Sequence, residues 1–127
     1  MSKKIYLIED DSAIIDIYET VMKKAHLDVD VISSGQEAIK KIKSVAAGEE
    51  QKPDLVLMDL ILPDMNGVEI LREIRDNPKT KDITVFVLSN QEKLELPEGD
   101  PIKPDKFIIK ANITPTQLLE VIKKELN

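Results

Sequence analysis

Four short apolar runs in this 127-residue chain each end in residues able to do chemistry. Ile5-Tyr6-Leu7-Ile8 runs into Glu9-Asp10-Asp11, and Leu55-Val56-Leu57-Met58 runs into Asp59. The run from Ile83 to Leu88 meets Ser89, and Phe107-Ile108-Ile109 meets Lys110. Carboxylates brought close together repel unless a cation compensates them. Hard oxygen donors with room for water suit Mg²⁺, which commonly takes one or two carboxylates and shares its sphere with phosphate. A lysine point charge and a hydroxyl donor beside them would fit a phosphoryl group. Taken singly, each residue has a plainer role: acids favoured at a helix N-terminus, a loop serine, a solvated lysine. The joint pattern carries the inference.

The elements between these residues must bring the four ends together. A short continuous apolar run bounded by turn residues suits a strand buried on both faces. Residues Ser12 to about Ala25 carry Ile14, Ile15, Tyr18, Val21 and Met22 at helical spacing, with Asp11 or Ser12 as cap. Val29 and Val31 alternate with polar neighbours as in a half-buried strand. Ser34-Gly35-Gln36-Glu37 has capping-box spacing and opens a helix ending near Gly48. After Asp59 the turn residues Pro63, Asn66 and Gly67 lead into a helix over 66–75, which Asn77-Pro78 stops. Thr114-Pro115-Thr116-Gln117 opens the last helix with Pro at its first position. Between Gln91 and Asp105, Pro97, Gly99, Pro101 and Pro104 forbid a long regular helix.

Strand and helix patterns thus alternate five times, with a short or irregular helix in the fourth slot. This predicts an α/β fold: a five-stranded parallel sheet covered by helices on both faces. Right-handed crossovers and the flavodoxin-like order 2-1-3-4-5 would put all four chemistry-bearing ends on one sheet edge.

Composition narrows the function. At 127 residues the chain makes one domain, and 42% hydrophobic residues argue against disorder. The absence of cysteine excludes a disulfide framework and thiolate metal sites, as expected of a cytoplasmic protein. A net charge of −6 repels nucleic acid and anionic membrane. No run is long enough for a signal-peptide core or a membrane span.

On these residues the chain resembles the receiver domain of two-component response regulators, of the stand-alone chemotaxis-regulator type. The carrying pieces are Leu7-Ile8-Glu9-Asp10-Asp11, Asp59 through Pro63 to Gly67, Ser89, and Phe107-Ile108-Ile109-Lys110. The resemblance covers essentially the whole chain and implies one receiver domain, residues 1–127, with no output domain. It implies that Asp59 accepts a phosphoryl group from the phosphohistidine of a histidine kinase or phosphotransfer protein. Asp10, Asp59 and the Ile61 main-chain carbonyl would bind Mg²⁺, with Glu9 contributing through water. Lys110 would pair with the phosphoryl oxygens, while Ser89 and Phe107 would switch a surface bound by a downstream protein. Such a domain is no enzyme in the ordinary sense, since it catalyses only its own phosphorylation and dephosphorylation.

Three features depart from the family pattern. Ala111 follows Lys110 where the family usually has proline, often with a cis bond. A cis bond before alanine costs roughly 3 kcal/mol, so a trans bond or a reshaped loop is expected. Asn90 narrows access beside Ser89, and the apolar Ile61 cannot position an attacking water, which implies a long-lived aspartyl phosphate. The proline-rich 91–105 segment replaces a helix that usually belongs to the signalling face. Two other classes stay open: a non-phosphorylated pseudo-receiver that binds partners, and a Mg²⁺ phosphohydrolase with Asp59 as nucleophile. The second usually wants an acid two residues on, where Ile61 stands. His26, without clustered partners, reads as a surface or capping residue.

Overall fold

The computed structural model describes residues 2–90 and 102–127. Strands β1 (Lys4–Ile8), β2 (Asp28–Ile32), β3 (Leu55–Met58), β4 (Val85–Ser89) and β5 (Lys106–Ile109) form one parallel sheet in the order β2-β1-β3-β4-β5. The described helices are α1 (Ser12–Lys24), α2 (Gly35–Ala46), α3 (Gly67–Asp76) and α4 (Pro115–Leu126). The sheet is the flavodoxin-like one that the alternating pattern predicts. The expectation of an irregular fourth helical slot falls, as far as Pro101, outside the described residues.

Alternation along the strands divides the core into two layers. Tyr6, Ile8, Val56, Met58, Val85 and Val87 face α2 and α3, where Ile42, Ile70 and Ile74 cover them. Ile5, Leu7, Leu55, Leu57, Phe86 and Leu88 face α1 and α4 against Tyr18, Met22, Leu118 and Ile122. Strands buried on both faces explain why the sequence reads as apolar runs rather than as alternation. Ile102 enters the first layer at 3% exposure.

Capping fixes the helix ends. Asp11 Oδ1 accepts from the amides of Ala13 (2.9 Å) and Ile14 (3.2 Å) at the start of α1. Thr114 and Gln117 make the full reciprocal capping box on α4, with Pro115 in its first turn. Ser34 makes one half of the expected box, its hydroxyl accepting from Glu37 N at 3.2 Å. The first two amides of α2 donate to the Asp64 carboxylate, Gly35 at 2.8 Å and Gln36 at 2.9 Å.

Helix α1 closes with a Schellman arrangement: Leu27 N donates to Met22 O and His26 N to Lys23 O. His26 occupies its left-handed position at φ 65° and is therefore a capping residue. Gly48 takes the same place after α2 at φ 79°.

At the amino end of the sheet, Arg75 ties α3 to the approach of β5. Its guanidinium donates to the carbonyls of Lys81 (2.8 Å), Ile83 (2.6 Å) and Lys103 (3.2 Å), and to Asp105 Oδ2 (2.9 Å). Asp105 Oδ2 also accepts from Val85 N at 2.8 Å, which starts β4 and β5 in register.

Candidate functional site

The register brings the sequence-marked ends to one edge. Ile8 pairs with Met58, and Asp59 N donates to Ile8 O at 3.0 Å, so Glu9 and Asp59 leave the sheet side by side. Ser89 pairs with Ile109, which sets Lys110 just beyond it. In an open parallel sheet this carboxyl edge is where ligands bind.

Lys110 joins the acids across the end of β4. Its Nζ donates to Glu9 Oε1 at 2.7 Å and to Asp59 Oδ2 at 2.9 Å. Glu9 is buried at 3% exposure, and its Oε2 also accepts from Asp10 N at 3.1 Å. Asp59 Oδ1 accepts from Ile61 N at 3.1 Å, so its two oxygens are held by different donors. Asp10 is exposed and completes the group.

Burial pushes the Glu9 carboxyl above its usual range; the hydrogen bond from Lys110 works against this and the Asp59 charge adds to it. Burial acts to lower the Lys110 ammonium, but its bonds to Asp59 and Glu9 prevail and raise it. Lys110 is therefore a fixed positive charge. Tyr18, reaching this region from α1, has its phenol raised by burial, while Lys110 lowers it and the two acids raise it.

Among the described residues, carboxylate oxygens of Glu9, Asp10 and Asp59 lie within 4.8 Å of one another. Three carboxylates face one ammonium, an excess of negative charge presented on hard oxygen donors. That set fits Mg²⁺ and suits softer metals poorly.

The loop after Asp59 is folded tightly. Ile61 bridges to Asn66, Leu62 N donates to Met65 O at 3.3 Å, and Gly67 N donates to Leu60 O at 2.6 Å. A Cβ at Gly67 would stand 2.8 Å from Asp59 O and 2.9 Å from Leu60 Cα. Only glycine lets α3 begin this close to the Asp59 backbone. Sequence reading took Asn66-Gly67 as turn punctuation and missed that packing role, along with the grip of Asp64 on α2. Ile61 itself is 57% exposed beside Asp59.

Ser89 is fully buried, and strand alternation puts it on the face of Val85 and Val87. Phe107 pairs with Val87 and packs partly buried against the same layer. The Lys110–Ala111 peptide is trans, as expected without proline, and Lys110–Asn112 form a short 3₁₀ turn. Losing the proline does not carry the lysine away from the acids.

A family model described as the response regulator receiver domain matches residues 5–123. A phosphate regulon transcriptional regulatory protein, PhoB of Rhizobium meliloti, is 28% identical over 122 residues, covering 95% of this chain and 51% of its own length. The alkaline phosphatase synthesis regulator PhoP of Bacillus subtilis is matched over 36% of its length, so the chain spans about half or less of these relatives. The phosphorylated cyanobacterial phytochrome response regulator RcpA superposes with a TM-score of 0.77 at 30% identity, covering 98% of this chain and 91% of that one. At 19% identity, a receiver domain of a Pseudomonas aeruginosa sensor histidine kinase shares the fold with a TM-score of 0.77. It covers 99% of this chain and 98% of that one, and its structure has a magnesium ion coordinated in the active site cleft.

Proposed function

Because this chain belongs to the response regulator receiver domain family, we propose that it is a phosphoacceptor signalling switch with Asp59 as acceptor. The donor is a phosphohistidine of a histidine kinase or a phosphotransfer protein. An Asp59 carboxylate oxygen forms a bond to phosphorus as the phosphorus–nitrogen bond breaks, and the imidazole nitrogen leaves with the electron pair. The observation that supports this most is the Lys110 ammonium bridging Glu9 and Asp59 beside Asp10.

Such a transfer needs an aligned nucleophile and neutralised charge more than covalent help. The Ile61 amide and Lys110 fix the orientation of the Asp59 carboxylate. Lys110 then supplies a permanent positive charge for the arriving phosphoryl oxygens. Asp10, Asp59 and the Ile61 carbonyl would hold Mg²⁺, with Glu9 acting through water; when bound, the ion neutralises charge on the transferring group.

The new group adds roughly one to two negative charges and strong acceptor oxygens. Ser89 would donate to it, and Phe107, on the same sheet face, would repack behind the serine and alter the outer surface near β5. That surface then binds a downstream protein.

The test is incubation with a phosphohistidine donor, or with acetyl phosphate, in the presence of Mg²⁺. Phosphate should appear on Asp59, vanish with chelator, and be absent from Asp59→Asn. Label that persists in Asp59→Asn, or none from any donor, would defeat the reading.

A further inference from the structure

The loop that follows Asp59 is held at both ends. At its base, Ile61 N donates to Asp59 Oδ1 and Gly67 N to Leu60 O. At its tip, the Asp64 carboxylate receives the first two amides of α2, Gly35 N on Oδ1 (2.8 Å) and Gln36 N on Oδ2 (2.9 Å). Met65 lies directly over Gly35, where an added Cβ would collide with the Met65 Cγ. Between base and tip, the loop is tied internally by the Ile61–Asn66 bridge and the Leu62–Met65 hydrogen bond.

The geometry points to Asp64 as a positioning residue: by gripping the α2 N-terminus it sets the Ile61 main chain, and with it the metal site at Asp59. This rests on the reading of Asp59, Asp10 and the Ile61 carbonyl as that site. The chemistry of the grip is ordinary. Amides of a helix's first turn have no partner within the helix, and a carboxylate there is favoured by charge as well as by hydrogen bonding. What is particular here is where the carboxylate comes from. Ser34 caps the same helix from its own chain segment, bonding Glu37 N at 3.2 Å. Asp64 caps it from the loop that carries Ile61. Removing either cap weakens α2, but only removing Asp64 frees the loop.

Coupling of this kind is reciprocal. If the grip of Asp64 favours metal binding, metal binding must strengthen the grip by the same factor. The state of the site would then be felt at the start of α2, away from Ser89 and Phe107.

The experiment is Mg²⁺ titration by calorimetry on the full chain and on Asp64→Ala, Asp64→Asn and Ser34→Ala, with acetyl phosphate labelling alongside. Loss of a group that orients a metal ligand typically weakens binding by about tenfold or more, and that is expected for Asp64→Ala. Asp64→Asn, which keeps an acceptor oxygen, should fall between it and the wild type. Ser34→Ala should bind Mg²⁺ as the wild type does, although its unfolding midpoint drops. Mg²⁺ should also slow hydrogen exchange at Gly35 N and Gln36 N in the wild type. Equal Mg²⁺ affinity in Asp64→Ala and the wild type would overturn the inference, as would an equal loss in Ser34→Ala. Mg²⁺ binding that depends on Asp64 but leaves no phosphate on Asp59 would support the inference and overturn the functional reading.

Discussion

Lys110 Nζ reaches across the end of β4 to lie 2.9 Å from Asp59 Oδ2, joining the third strand of the chain to the fifth. The same ammonium is 2.7 Å from the buried Glu9. The side chains of Lys110 and Asp59 are 11% and 12% exposed, so water screens the pair little. Lys110→Ala would leave the two carboxylates facing each other without a counter-charge. Removing one partner of a buried ion pair costs about 3 kcal/mol. The expected result is a loss of that order in urea unfolding without Mg²⁺, part of it recovered when Mg²⁺ is added. A stability unchanged in both conditions would show that the ammonium is not what offsets the acids.

Arg75 does comparable work at the opposite end of the sheet, without any part in the chemistry. It donates to three main-chain carbonyls and to Asp105, and only 17% of its side chain is exposed. Arg75→Ala strands those acceptors and should cost about 2–3 kcal/mol. Arg75→Lys should recover only a minor part, because a single ammonium cannot span the positions that the planar fork reaches. Chemical unfolding of both variants decides this; full rescue by lysine would reduce the site to a simple ion pair.

His26 holds a left-handed conformation at φ 65° that costs side-chain-bearing residues energy. His26→Gly removes that strain and should raise stability by about 1 kcal/mol, net of the greater freedom of glycine in the unfolded chain. Gly48→Ala, at φ 79°, is the mirror experiment and should lose about as much. Thermal midpoints moving in the same direction for the two variants would contradict the assignment.

Asp64 gives the fold a dependence on pH. Hydrogen bonds from the Gly35 and Gln36 amides hold its carboxyl below the ordinary 3.8. A lowered folded value means the unfolded chain binds the proton more readily. The stabilisation is therefore complete above about pH 4 and disappears as pH falls through the lowered value. Asp64→Ala should be less stable than the wild type at pH 7, and the two should converge in strong acid. A gap that stays constant down to pH 2 would assign the effect to packing instead of charge.

The sheet was legible because its strands are buried on both faces, which leaves uninterrupted apolar runs such as Leu55 to Met58. The gathering of residues at the carboxyl edge could be read for a related reason: each follows such a run, so Glu9, Asp59 and Lys110 needed only strand order to meet. Side chains that act across distant segments left no such mark. Asp64 looks like any turn acid until α2 arrives beside it, and the close approach of Gly67 to the Asp59 backbone exists only in three dimensions. Ser34 followed by Glu37 promised a reciprocal cap, but only its hydroxyl half forms, and the Gly35 and Gln36 amides, which such a box leaves unpaired, donate to Asp64.

If Asp59 takes up phosphate as proposed, Ile61 is the residue expected to set how long it stays. It stands 57% exposed beside Asp59 and presents only hydrocarbon. Hydrolysis of an aspartyl phosphate requires a water aligned opposite the aspartyl oxygen, and an aliphatic side chain can neither orient nor deprotonate it. The phosphoprotein should therefore be long-lived. Ile61→Asn places an amide carbonyl where it can accept from that water, and positioning alone should speed decay by about tenfold. Because the metal-binding role proposed for Ile61 belongs to its main chain, both proteins should take up phosphate at similar rates while their decay differs. Radiolabel loss from purified phosphoprotein measures this directly. Fast loss from the wild type would show that water is aligned by something other than the residue two places after Asp59.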